Sequence, residues 1–313
     1  MDEDDRLAGR FEASGPRLRA MAYRMLGSLS DAEDAVQDAW LHAAGADPGA
    51  VDNLEGWFTT IVARICLDRL RSRKSRREEP LGAEETLDAE RAMAAAGPEQ
   101  EAVLADSVGL ALLVVLDTLA PAERVAFVLH DTFGLPFGEI AAITGRSSSA
   151  ARQLASRARR RVRGTAPVSG IRLARQREVA EAFLAASRGG DLSALLAMLD
   201  PEVVLHADAA SVPTGIPMTI RGAAAVARGA RASSGRSRYS GVALVNGTPG
   251  IVMAPRGRLI LVLAFTIGGG KICRIDVIGD PAHLEELDLS VLDYLAAARS
   301  AVAFRAQTRP MSR

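Results

Sequence analysis

The side chains with the most definite chemistry in this chain are its arginines. Between Trp57 and Arg77 stand seven basic residues (Arg64, Arg69, Arg71, Arg73, Lys74, Arg76, Arg77) and one acid, Asp68. Between Arg146 and Arg163 stand seven arginines and no acid, while Glu78 to Asp106 holds nine acids and one arginine. One basic run alone reads as a solvated face; two, each in a helical pattern, suit two contacts with a polyanion. Only Lys74 and Lys271 are lysines. The guanidinium fork that replaces them elsewhere matches phosphates and base edges. Trp57, at the start of the first patch, offers a plane for an unstacked base, or a side chain for the core.

Other chemistry is sparse. Cys66 and Cys273 lie far apart without Cys or His at metal-ligand spacing, so neither a disulfide framework nor zinc is expected. Val204, His206 and Asp208 alternate along a strand-like run and share one face; a His–Asp pair in a pocket does acid–base work, and a polar strand end is the preferred reading. Gly268-Gly269-Gly270 before Lys271 reads as a hairpin turn, too short for a dinucleotide fingerprint. The sequence calls for no cofactor, no metal and no enzyme.

These residues need elements to position them. Phe11, Leu18, Ala22, Met25 and Leu26 recur at helical spacing up to a break at Gly27-Ser28. Ser30 with Glu33 reads as a capping box for an acidic helix through Trp40. After the loop Gly45–Gly49, a long helix from about Asn53 turns Phe58, Ile61, Val62, Ile65 and Leu70 inward. Its other face carries Trp57, Thr60, Arg64, Asp68 and Arg71, with Arg64 and Asp68 spaced to pair. The acidic stretch 79–106 reads as a linker. A second helical unit spans about 107–164. Pro121 opens a helix that runs to Phe133, a short helix ends at Gly145, and Ser147 caps Ser148–Val162. Two helices around a tight Gly turn, the second densely basic, make a helix-turn-helix. Ala151, Leu154, Ala155, Ala158 and Val162 form its buried stripe. Arg152, Gln153 and Arg157 are the expected base readers, with Ser156 and Arg160 on the exposed face. Arg159, Arg160, Arg161 and Arg163 are phosphate contacts or solvated charge.

Beyond Gly164 the pattern changes. Helices around Val179–Leu184 and up to Leu199 precede a strand at Val203–Asp208 and a helix at Ala223–Arg231. Runs at Tyr239–Asn246, Gly250–Met253, Leu259–Ile267 and Lys271–Val277 then alternate as an antiparallel meander. This is an α+β domain. A last helix is expected over Leu284–Arg299, then a disordered tail.

The chain has 313 residues, 48% apolar and 24% charged, with 38 basic and 38 acidic side chains. At roughly 100–200 residues per domain this means two or three domains. The apolar runs Gly109–Leu116 and Leu259–Ile267 are too short to span a bilayer. The acidic start Met1-Asp2-Glu3-Asp4-Asp5 is no secretory signal. The expectation is a cytoplasmic protein with no membrane contact.

The order Asp31-Ala32-Glu33-Asp34-Ala35-Val36-Gln37-Asp38-Ala39-Trp40, then Trp57 through Arg71, resembles region 2 of the extracytoplasmic-function sigma factors of bacterial RNA polymerase. Leu119-Ala120-Pro121-Ala122-Glu123-Arg124-Val125-Ala126-Phe127 with Ser147–Arg161 resembles region 4 of that family. The part after 165 resembles the SnoaL-like, ketosteroid-isomerase-like cone that one subgroup carries at its C-terminus. Ala243–Gly247 and Gly268–Lys271 fit that subgroup. Ile267 stands where Asp is common, Gly279–Leu284 replaces a later Asn-Pro-acid-Lys segment, and the linker keeps only Glu79-Pro80-Leu81 of its motif.

The resemblance implies two all-α sigma domains (1–78 and 107–165, joined by the linker 79–106), a SnoaL-like α+β domain over 170–300 and a tail over 301–313. It implies core RNA polymerase (β′ clamp and β flap) and promoter DNA as partners. Asp34, Gln37 and Asp38 would dock on polymerase. Trp57, Arg64, Arg71, Arg73 and Lys74 would meet the opened −10 strand, and Arg152, Gln153, Ser156, Arg157 and Arg160 the −35 duplex. Gly268, Gly269, Gly270, Lys271, Asp280 and Pro281 would be regulatory, and the C-terminal domain would have room for an unidentified small ligand. Two rival readings remain: a DNA-binding regulator acting without polymerase, and an isomerase-like enzyme with a helical appendage.

Overall fold

The computed structural model describes residues 3–46, 51–78, 109–164 and 171–291. The linker 79–106, the tail 301–313 and the loop residues 47–49 lie outside them. The chain divides into two compact units: one of residues 1–96, 119–160 and 295–313, the other of 97–118 and 161–294.

In the first unit, α1 (Glu3–Leu26), α2 (Leu29–Ala44) and α3 (Leu54–Glu78) pack on one another. Leu18, Met21, Ala22 and Met25 of α1 are buried, and Gly27 stops the helix at φ +78°. The cap of α2 is Ser28, not Ser30: the Asp31 N–H donates to Ser28 Oγ at 3.3 Å. Ser30 stands one residue inside the helix and its hydroxyl touches Ser28 Oγ, so no capping box with Glu33 forms. Ala32, Ala35, Ala39 and Ala43 line the buried side of α2, and their small size lets the neighbouring helices come close. Asn53 Oδ1 caps α3 by accepting from the Gly56 N–H at 3.0 Å. Phe58, Val62 and Leu70 are buried as expected, whereas Ile61 and Ile65 are half-buried. Phe11 joins Trp40 and Phe58 in an aromatic cluster with centroids 5.2 and 5.0 Å away.

Four helices span 109–164: α4 (Leu110–Asp117), α5 (Pro121–Phe127), α6 (Phe137–Thr144) and α7 (Ser148–Arg163). The expected continuous helix from Pro121 to Phe133 is interrupted, because residues 128–132 widen into a π-turn closed by Phe133 N–H to Val128 O at 3.2 Å. Gly145 ends α6 in the left-handed conformation at φ +67°. Ser147 Oγ caps α7 by accepting from the Ala150 N–H at 3.2 Å. Within the first unit α3 also packs against α5 and α6.

The second unit is α+β. Its helices are α4, already given, and α8 (Ile171–Gly189), α9 (Leu192–Met198), α10 (Ala223–Ala232), α11 (Ser234–Ser237) and α12 (Pro281–Glu286). Its strands are β1 (Leu199–Ala207), β2 (Met218–Arg221), β3 (Ser240–Val245), β4 (Thr248–Met253), β5 (Leu261–Gly268), β6 (Lys271–Ile278) and β7 (Leu289–Ser290). The sheet order is β2-β1-β6-β5-β4-β3-β7. The meander β3–β6 is antiparallel as expected, but β1 joins β6 in parallel. Asn246-Gly247 and Gly269-Gly270, all at positive φ, close the two tight hairpins. Phe183, Leu195, Val226, Phe265 and Ile275 form the core between α8–α10 and the sheet. The short strands β2 and β7 were not expected. The helix expected over Leu284–Arg299 is replaced in its described part by α12 and then β7; residues 292–299 lie outside the described ones.

Candidate nucleic-acid and polymerase interface

Helix α7 presents two faces. Ala151, Leu154, Ala155, Ala158 and Val162 are buried, while Ser149, Arg152, Gln153, Ser156 and Arg160 are exposed. Arg152 lies over the Phe137 ring with its guanidinium carbon 5.4 Å from the centroid. Phe137 is the first residue of α6, so the ring steadies the guanidinium at the helix-turn-helix corner.

Two arginines of α7 have other work. Arg157 Nε donates to Glu123 Oε1 at 2.7 Å, and Arg159 Nε to Asp131 Oδ1 at 2.6 Å. Both carboxylates are largely sheltered. Arg157 thus ties α7 to α5, and Arg159 ties it to the π-turn. Both therefore brace the helix-turn-helix, and Arg157, expected as a base reader, remains exposed at the surface of α7.

On α3, Arg64 is exposed and donates from a guanidinium N–H to Ala142 O of α6 at 3.2 Å. It does not pair with Asp68, which instead meets Arg71 at 3.3 Å. Trp57 is half-buried with its ring centroid 5.6 Å from that of Phe58, between the two roles open to it. Arg73 is not a spare cation either: it pairs with Asp31 at 2.5 Å and donates to Leu26 O at 3.0 Å, capping the C-terminus of α1. Lys74 and Arg71 are exposed. The side chains of Arg76 and Arg77 lie outside the described ones. Burial pushes the Cys66 thiol up to about 12, which makes it an inert core residue.

On α2, Asp34 and Gln37 are exposed. Asp38 is half-buried and pairs with Arg69 at 2.5 Å, so it braces α2 against α3 as well as edging the acidic face. Sequence reasoning missed Leu41, 63% exposed, seven residues after Asp34 and four after Gln37 on the same side. The signal was available: Leu41 falls off the Ala32–Ala35–Ala39–Ala43 stripe.

In the second unit, Val203 and Leu205 face the core, so Val204, His206 and Asp208 face away from it. His206 and Asp208 bond to separate partners, in keeping with the preferred reading of a polar strand end. His206 Nδ1 lies 3.0 Å from Thr219 Oγ1 on β2. The Asp208 carboxylate accepts the N–H groups of Gly279, Asp280 and Ser211 at 2.7, 2.9 and 2.8 Å. Partial burial acts to raise its pKa, but these hydrogen bonds from Asp280, Gly279 and Ser211 outweigh it and hold the carboxyl below its usual range. Gly268–Gly270 form the β5–β6 turn and Lys271 is exposed beside it. Asp280 caps α12 by accepting from the His283 N–H at 2.9 Å, and Pro281 is its first residue. Among the described residues no cluster of His, Cys, Asp or Glu suits a metal ion, and no helix is long and apolar enough to cross a membrane.

A basic helix-turn-helix joined to a three-helix group with a second basic face defines a DNA-binding transcription protein. Residues 10–76 match the Sigma-70 region 2 model and residues 109–162 match Sigma-70, region 4. The chain is 35% identical over 287 residues to "Probable ECF RNA polymerase sigma factor SigI" of Mycobacterium tuberculosis, covering 92% of this chain and 98% of that protein. It is 38% identical over 290 residues to ECF RNA polymerase sigma factor SigJ of the same organism, covering 87% and 91%. The crystal structure of M. tuberculosis SigJ aligns over 88% of this chain and 97% of that one, at 33% identity and a TM-score of 0.43. The chain belongs to the extracytoplasmic-function sigma factors of RNA polymerase.

Proposed function

We propose that the protein joins core RNA polymerase and directs initiation by reading the −35 duplex with α7 and holding the opened −10 region with α3. Arg152, Gln153, Ser156 and Arg160 are the −35 face. Arg bonds guanine and Gln bonds adenine in the major groove. Arg64, Arg71 and Lys74 meet the −10 strand, with Trp57 at its edge. Asp34, Gln37 and Leu41 dock on the polymerase β′ clamp, and the helix-turn-helix reaches the β flap. The regions run over 1–78 and 107–165, with the C-terminal domain over 170–300 acting on them in cis through the Gly268–Lys271 turn and the Asp280-Pro281 corner. The protein works in transcription without a catalytic site of its own.

The observation that carries this reading is the exposed row Arg152, Gln153, Ser156, Arg160 on a helix that Arg157 and Arg159 brace through Glu123 and Asp131. Transcription in vitro with purified core polymerase on genomic fragments tests it. Specific start sites should appear only with both core and this protein. Tight, sequence-specific footprints from the protein alone would instead favour a regulator that acts without polymerase.

A further inference from the structure

We infer that the π-turn at residues 128–132 aims the −35 reader: His130 stacks on Phe137, Phe137 carries Arg152, and this column sets where the Arg152 guanidinium points. The inference deepens the reading of α7 as the −35 face and rests on it. His130, Phe137 and Arg152 all lie in the first unit. His130 stands where the helix begun at Pro121 widens, with Phe133 N–H reaching back five residues to Val128 O. Such widened turns inside helices recur at functional sites. Leu135 then folds back over the turn, its N–H donating to Leu129 O at 3.0 Å. His130 Nδ1 lies 3.0 Å from Leu135 O. A carbonyl only accepts, so Nδ1 is the nitrogen that carries the proton, and this bond fixes the ring's orientation. The imidazole so held stacks on the Phe137 ring, with centroids 4.0 Å apart and planes 26° from parallel. The Arg152 guanidinium lies over that same ring. An aromatic ring attracts a cation without taking up its N–H groups, which stay free for a base edge.

The neighbouring residue of the π-turn makes a second tie. Asp131 Oδ1 accepts from Arg159 Nε at 2.6 Å. Arg152 and Arg159 are seven residues apart, two turns of α7, so they lie on one side of it. The π-turn thus grips the reading helix at two levels, directly at Arg159 and through Phe137 at Arg152. Two grips on one side fix the rotation of α7 about its own axis. Gln153 and Ser156, exposed beside Arg152, take their aim from the same rotation. His130 and Phe137 are positioning residues, since they act on the promoter through Arg152.

The test is initiation in vitro by the full chain with core polymerase, on templates that differ by single base pairs in the −35 element. Discrimination is the ratio of initiation on the matched template to that on a substituted one. Phe137→Leu keeps an apolar side chain and removes the ring. It should lower discrimination at the base pair read by Arg152 by roughly two- to fivefold, the size of an exposed cation–ring contact read as an equilibrium constant. Phe137→Tyr, which keeps the ring, should discriminate like wild type. His130→Asn keeps a donor for Leu135 O and removes the stack. It should lower discrimination at that same base pair, and it carries the test if Phe137→Leu fails to fold. In an Arg152→Ala background Phe137→Leu should add no further loss there, because its effect passes through Arg152. A column that only packs the corner would lower initiation alike on every template and leave discrimination unchanged, and that result would overturn the inference. A further loss of discrimination in the Arg152→Ala background would overturn it too. Wild-type protein that ignores every −35 substitution would sink the reading of α7 itself, a failure visible before any variant is made.

Discussion

Arg152 differs from Arg157 and Arg159 on α7 in having an aromatic partner and, among the described residues, no acidic one. A cation over a ring keeps its charge and all its donors, so Arg152 stays able to bind a base edge, whereas Arg157 and Arg159 each commit the Nε–H to a carboxylate, Glu123 and Asp131, that holds the side chain in place. Arg152→Ala should therefore cost about 1–3 kcal/mol at one base pair of the −35 element. Arg157→Ala should instead lower the thermal midpoint and weaken all promoters alike. Initiation on a set of single-base promoter variants distinguishes the two, and a uniform loss for Arg152→Ala would reduce it to a phosphate clamp. On α2 the informative substitution avoids Asp38, whose reversal would break the bond to Arg69. Asp34→Arg with Leu41→Glu should impair capture of core polymerase in a protein of unchanged stability, because it removes complementary charge and an exposed apolar contact together. Normal capture would remove this face from the docking surface.

Asp208 makes a different, pH-dependent prediction. Its carboxyl titrates lower in the fold than the usual 3.8. A group with a depressed folded pKa contributes stability above its unfolded pKa and loses it as pH falls through the folded one. Asp208→Asn should thus lower the melting temperature at pH 7 and flatten its fall below pH 4, as calorimetry would show. A variant that melts like wild type at pH 7 would remove the β1–β6 corner from the stabilising contacts.

At the scale of elements, periodicity exposed most of the helices and the meander, because one face of each is buried and the spacing of apolar residues records it. The stripe from Ala151 to Val162 is the clearest case. Partners distant in sequence left no such trace. Asp31 meets Arg73 and Glu123 meets Arg157 only because helices cross, and any carboxylate near a patch this basic was an equal candidate. Alternation also set the two faces of β1 without telling which was inward, since Val203, Val204 and Leu205 are all apolar. Strand β2 is four residues long and mostly exposed, so it carried no hydrophobic signal. At α2 the Ser30–Glu33 spacing points two residues past the true cap, Ser28, which the local hydrogen bond from Asp31 N–H identifies. Ser28→Ala should cost about 0.5–2 kcal/mol, the usual range for a lost N-cap, while Ser30→Ala should be close to neutral in chemical denaturation. Equal costs would mean that the two hydroxyls share the cap.

At the scale of the molecule, the first unit brings the face of α3 proposed to meet the −10 strand against α6. Arg64 bonds to Ala142 O of α6, and Arg24 of α1, only 2% exposed, lies with its guanidinium carbon 5.4 Å from the Phe133 ring centroid. Burial pushes the Arg24 pKa down to about 10, a sign of a charge held out of water. Promoter elements centred about 25 base pairs apart at roughly 3.4 Å per pair are some 85 Å distant along DNA. Two readers packed within one compact unit cannot occupy both. The contact between α3 and α6 must open when the protein joins polymerase on a promoter, and the buried arginine makes that opening less costly than parting an apolar interface. Spin labels at Arg64→Cys and Ala142→Cys, with Cys273→Ser, should report a short distance in the protein alone and a much longer one with core and promoter DNA. A short bis-thiol cross-link between the same positions should abolish initiation yet leave core capture through α2 intact. An unchanged distance in the complex, or full activity of the cross-linked protein, would show that both promoter elements are read from the closed arrangement.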